Sequence, residues 1–273
     1  MQKNRNKERV EKVVKPFLRG RMIDRTLPGG ALKFFFFMML MVFVYFMSII
    51  VSSVESRFLT VVINVAIVLT TWMIFWQSGM ASGADAVSQG EIMYQRREKD
   101  RPVAKWEEEM CYHPLKGFII ALVGSIPLFI CCLILALVAK KQMTTIGVLP
   151  NWVAGFEGRQ EIGGALSYYH QEAHLTLEGV LRVVVHVAVM PFISIVGPEN
   201  RDAILLLERL SPVITLIPAV VYGVGYTCGT QERAAVHGNI ALGKKKQQQK
   251  QRKEQRARRA RQQAKQHGPE QLN

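Results

Sequence analysis

Residues 34–54 read FFFFMMLMVFVYFMSIIVSSV, 21 positions without a charge between Lys33 and Glu55. An α-helix rises about 1.5 Å per residue, so this run reaches about 30 Å, the thickness of a bilayer's hydrocarbon core. A second uncharged run, residues 58–84, begins after Glu55, Ser56 and Arg57. Two such runs separated by three residues predict an antiparallel helical hairpin through a membrane. The first run is longer than a signal-peptide core, and no small-residue cleavage pattern follows it, so it reads as a retained span.

Outward from this hairpin the pattern repeats. Residues 117–139 are uncharged between Lys116 and Lys140, with Pro127 and Gly124 predicting a kink. Residues 210–231 are uncharged between Arg209 and Glu232. Residues 183–198 are also uncharged, but 16 positions are few for a span, and His186 and Pro191 interrupt them. The expected fold is an all-α, polytopic integral membrane helix bundle. Its spans fall at about 34–54, 58–79, 117–139 and 210–231, with a short re-entrant or interfacial helix at about 183–198.

Charge divides the chain further. The net charge is +14 over 273 residues, and it is concentrated at the ends. Residues 1–33 hold ten Lys and Arg against three acids, and residues 232–273 hold twelve against three. The expected division is a basic arm (1–33), a transmembrane helical domain (34–231) and a polybasic tail (232–273). Basic flanks stay in the cytoplasm, so an even number of spans accommodates both tails. The expected location is the plasma membrane, multi-pass, with both termini and the 80–116 loop cytoplasmic. A full fifth span at 183–198 is the alternative, and it would leave the tail outside.

Between the spans the expectations are local. Val10, Val13, Val14, Phe17 and Leu18 fall on one side of a helix over residues 3–25, flanked by Lys and Arg; a disordered basic arm is the alternative. Pro28-Gly29-Gly30 is expected to break the chain before the first span. Gly83, Gly90 and Pro102 mark residues 80–116 as a polar loop. Trp72 and Trp76 fall where an aromatic belt is expected. Cys111, Cys131, Cys132 and Cys228 have no metal-ligand spacing and read as structural thiols.

Candidate chemistry is sparse. His170, His174 and Glu178 lie at i, i+4 and i+8, one face of a helix, where two imidazoles can share a transition metal. Their order is not that of a zinc protease, and a solvated surface helix explains them as well. Arg182 and His186 stand one turn apart at the mouth of an uncharged run, and Asn64 lies inside the second span. Intramembrane polar groups are functional candidates, although Arg182 can snorkel and Asn64 can hydrogen-bond a neighbouring helix. Glu98, Asp100 and Glu107-Glu108-Glu109 could attract a divalent cation, but Lys99, Arg101 and Lys105 neutralise them. Gly225 and Gly229 match the GxxxG spacing that lets helices approach closely, with a substrate groove as the sharper reading.

The tail carries the strongest charge signal. Lys244, Lys245, Lys246, Lys250, Arg252, Lys253, Arg256, Arg258, Arg259, Arg261 and Lys265 stand against the single acid Glu254, without an apolar stripe. Such a segment is suited to phosphate, in anionic lipid head groups or RNA, or serves to anchor topology.

No catalytic motif stands out and no cofactor is expected. The leading expectation is a structural or accessory membrane component. It would contact the bilayer, an anionic polymer through its tail, and another copy or a membrane partner through its helices. A small permease subunit and a metal-dependent enzyme built on residues 170–178 are the alternatives. The spans carry no charge in their middles, which argues against ion-coupled transport.

Overall fold

A computed structural model of the chain describes residues 15–53, 56–139, 159, 177–197 and 200–266. The described elements are all helical. They are α1 (Leu27–Met47), a 3₁₀ segment (Ser48–Ser53), α2 (Arg57–Glu98), α3 (Lys105–Glu109) and α4 (Lys116–Val138), then α5 (Leu177–Ala188), α6 (Met190–Val196) and α7 (Arg201–Gln266). α1, α2, α4 and α7 are long and apolar enough to cross a membrane. α5 and α6 meet at 82° and pass the same test only when taken together, the geometry of a broken span or a re-entrant loop.

The core lies where the four long helices and α5 converge. Phe34, Met38, Met41 and Tyr45 of α1 pack with Val68 and Phe75 of α2 and with Ile120, Leu128 and Leu135 of α4. Val185 and Ala188 of α5 and Tyr222 of α7 complete it. The outward faces are apolar too: Phe36, Leu40, Phe43, Leu69, Met73 and Val213 are exposed. Only 28–39 % of the most apolar window of each long helix is buried against protein, so lipid is the solvent that suits the rest.

Element boundaries depart from the sequence expectation in several places. Pro28-Gly29-Gly30 is the first turn of α1, because proline is tolerated at a helix start, where its missing N–H is not needed. Residues 15–26 are not a helix; they run as irregular chain with one bridge, Arg19 to Tyr112. Val10, Val13 and Val14 lie outside the described residues. α2 does not stop at Gly79 but continues through Glu98, so half of the expected loop is helix. α7 spans 66 residues and joins the last apolar run to the basic tail without a break. α4 passes through Pro127 as one helix.

Glycine explains the α2 extension. A Cβ at Gly79 would collide with the Tyr222 carbonyl, and one at Gly83 with the Tyr226 carbonyl. These glycines admit the backbone of α7, and a long helix is stabilised by the partner it can approach. At the opposite end, Gly197 closes α6 with φ at +97°, and the Arg57 guanidinium donates to the adjacent Val196 carbonyl at 2.9 Å. Pro191 lies in the first turn of α6 and cannot donate into the α5 ladder, which sets the bend.

Candidate functional site

α1 and α4 begin at one end of the bundle, and there the chain builds a polar cap. Residues 15–26 cross the cap-side part of α2 and the segment before α4. Leu18 N–H donates to the Gly90 carbonyl at 3.1 Å, Gly20 N–H to that of Tyr112 at 3.0 Å and Arg21 N–H to that of Glu109 at 3.2 Å. Phe17 meets Tyr112 edge-on at 5.9 Å, and Tyr112 stacks on Tyr226 at 5.5 Å. The Cys111 thiol lies under this strap, and burial pushes its pKa up, helped by the negative charge of Glu108. Residues 15–26, the 80–116 segment and the root of the tail therefore share one end of the described structure.

Two buried charge clusters tie the helices. In the cap, Arg233 Nε and Nη2 donate to Glu91 Oε2 at 3.2 Å, and His237 Nε2 lies 2.7 and 2.9 Å from the two Glu91 oxygens. This links α2 to α7. At the other end Arg182 Nε donates to Glu208 Oε1 at 2.8 Å and Nη2 to Oε2 at 3.4 Å, while His186 Nε2 lies 2.7 Å from Oε1. This links α5 to α7.

Beside the strap, α1, α2, α4 and α7 border an open pocket of about 500 Å³. Its wall includes Arg25, Lys33, Ser82, Asp85 and Lys116 on the polar side and Phe34, Phe37 and Ile120 on the apolar side. Lys116 is engaged: its Nζ donates to Asp24 Oδ2 at 2.6 Å and to the Met110 carbonyl at 3.1 Å. Tyr226 also lines the pocket, and its hydroxyl is buried without a hydrogen-bond partner.

The residues singled out from sequence fall in different places. His170 and His174 lie outside the described residues. Glu178 pairs with Arg182 at 3.2 Å. Arg182 and His186 converge on Glu208, a partner that the sequence reading left outside the last span. Asn64 is buried, and its Nδ2 donates to the Thr60 carbonyl of its own helix; no bond to a neighbouring helix occurs among the described residues. Glu107, Glu108 and Glu109 pair with Arg96, Arg97 and Arg21. Among the described residues no group of three His, Cys, Asp or Glu could hold a metal. Gly225 lies where a Cβ would collide with the Trp76 carbonyl of α2, and Gly229 against Gly83 and Ala84. Residues 243–260 are exposed on α7.

Glu91, His237, Asp24 and Lys116 were not legible as a site. Their partners lie far away in sequence, and a charge beside a span reads locally as a solvated flank. Comparison of the chain with known protein families, curated proteins and solved structures finds no match.

Proposed function

We propose that this protein is a non-enzymatic interaction component of the plasma membrane. Its four spans anchor a basic helical rod that holds RNA on the cytoplasmic side. The observation that carries this reading is the unbroken course of α7 from the bundle through Gln266. Lys244 follows Tyr226 by 18 residues, about 27 Å along a helix, and Arg259 by 33 residues, about 50 Å. A helix curves gently unless something breaks it, so its far part leads away from the bilayer. Charge attraction to head groups fades over about 8 Å at physiological salt. On this reading the rod carries its basic residues away from the head groups, and a soluble polyanion is the fitting partner. The phosphate backbone of RNA supplies that charge without sequence reading. Residues 15–26, the 80–116 segment and the start of the basic part of α7 lie at one end of the bundle, which supports an even number of spans with both termini in the cytoplasm.

The test uses the full chain in nanodiscs of neutral lipid and a fluorescent 30-nucleotide RNA of mixed sequence. Binding is expected at low salt, with log K falling by about 0.7 per phosphate contact for each unit of log salt. Replacing Arg252, Lys253, Arg256, Arg258 and Arg259 by Gln should weaken binding by about tenfold or more. Equal affinity in that variant would overturn the reading. So would capture of the rod by nanodiscs of anionic lipid in preference to RNA, which would make the membrane itself the partner.

A further inference from the structure

We infer that the basic rod of α7, residues 244–260, seats inside the groove of a folded RNA where a bulge opens the duplex, with phosphates on several sides of the helix. The inference rests on the RNA-holding role proposed above and names the form of RNA that fits.

The distribution of charge comes first. Nine Lys and Arg fall between residues 244 and 260, and every residue from 243 to 260 is exposed, so the bundle covers none of them. Arg252 and Arg259 share one side of the helix, and Lys246 and Lys250 lie nearly opposite. At about 100° per residue, no sector wider than about 80° lacks a base. The single acid, Glu254, stands in that widest sector, 4.0 Å from Lys250. A helix that lies on a flat anionic surface uses bases on one face and leaves the others to water. Bases all round are matched by a partner that presents phosphate on more than one side.

Repulsion within the rod is a second observation. Lys246 and Lys250, and again Arg252 and Arg256, stand four residues apart, where like charges oppose the helix. Glu254 alone offsets them within 244–260. Phosphates around the rod remove this opposition, so RNA and helix stabilise each other. At its root the rod is already fixed, because Arg233 and His237 hold Glu91 of α2. It therefore presents a helix to its partner without the full cost of ordering a free chain.

The absence of aromatics decides which RNA fits. After Tyr226 the sequence contains no Phe, Tyr or Trp. Single strands are gripped largely by stacking bases on aromatic rings, and this rod has none to offer. A helix with its side chains is about 10–12 Å across. The major groove of uninterrupted A-form RNA is too deep and narrow to receive it. A bulge unstacks bases and opens that groove, and phosphates then flank the helix on both walls.

The test uses the full chain in nanodiscs of neutral lipid and three RNAs of equal length: an unstructured single strand, a perfect hairpin and a hairpin with a bulge. The bulged hairpin is expected to bind about tenfold tighter than the other two, with a salt slope about twice that of the single strand. Far-UV circular dichroism should show helix content rising on its addition. Two double variants address the opposite sides of the rod: Lys246→Gln with Lys250→Gln, and Arg252→Gln with Arg259→Gln. Each should lower the slope for the bulged hairpin by about 2. A rod that lies with one face on RNA would roll and lose little from either pair. Equal affinity for the single strand or for the perfect hairpin would overturn this inference and leave the RNA-holding role standing, as would an unchanged slope in either double variant. No binding of any RNA at low salt would overturn the role and this inference together.

Discussion

The two ends of this bundle solve the same problem with the same three residue types. At each end a glutamate is buried with an arginine and a histidine on a helix pair that includes α7. At the cap the histidine is the buried partner: His237 is 8 % exposed and faces both oxygens of Glu91, while Arg233 touches one oxygen and is 28 % exposed. At the far end the roles reverse. Arg182 is 11 % exposed and spans both oxygens of Glu208, and His186 is 30 % exposed and reaches one. The cap is surrounded by polar chain, and the far end by outward apolar side chains such as Leu206 and Leu210. A carboxylate in the drier setting needs a permanent charge across both oxygens, whereas one under a polar cap is served by a histidine.

Removing the arginine from each cluster separates the two cases. Arg182→Met leaves Glu208 buried with a single partly exposed histidine, an uncompensated charge that costs about 3–5 kcal/mol. Loss of monodisperse protein in detergent, or a collapse of its melting temperature, is the expected result. A melting temperature close to that of the parent would show that His186 alone suffices and would erase the difference between the ends.

Gly225→Leu probes the cap-side contact without touching charge. The added side chain meets the α2 backbone at Trp76, which cannot give way as a side-chain tip can. Overpacking of this kind costs about 1–3 kcal/mol. Val221→Leu, one turn earlier and only partly buried, should cost less. Equal melting temperatures for the two variants would mean that α2 and α7 are not held at backbone distance.

Arg233→Met completes the comparison with the smallest effect. Water reaches Arg233, and His237 keeps both Glu91 oxygens, so the expected loss is about 1 kcal/mol. A loss as large as that of Arg182→Met would show that the arginine, not the histidine, holds the cap. The thermal midpoints of the two methionine variants, measured side by side, decide the matter.

The four long apolar helices were legible because each announces itself within a single window of sequence. Uncharged runs at 34–54, 58–84, 117–139 and 210–231 need no knowledge of their neighbours. Glycine was the residue whose meaning depended on context. Gly83 read as a loop softener and is instead the point where α7 presses on α2. The helical reach of residues 232–266 was equally hidden, since a polar segment without an amphipathic stripe carries no periodic signal. Glu208 escaped attention for a simpler reason: it lies outside the uncharged run that defined the last span.

The sequence by itself thus determined the class of molecule: helical, apolar over bilayer-length runs, and basic at both ends. Those properties follow from local composition, which one segment displays without help from another. Tertiary structure decided which charges are buried and with whom. Glu91 meets Arg233 142 positions away and His237 146 positions away, and Lys116 meets Asp24 across 92. No local pattern encodes such pairs, because a carboxylate on a solvated loop and one locked under a cap have the same neighbours in sequence. The pocket beside them has the same origin. It exists only because four helices leave space at one level, and the unbonded Tyr226 hydroxyl is visible only once the helices are packed.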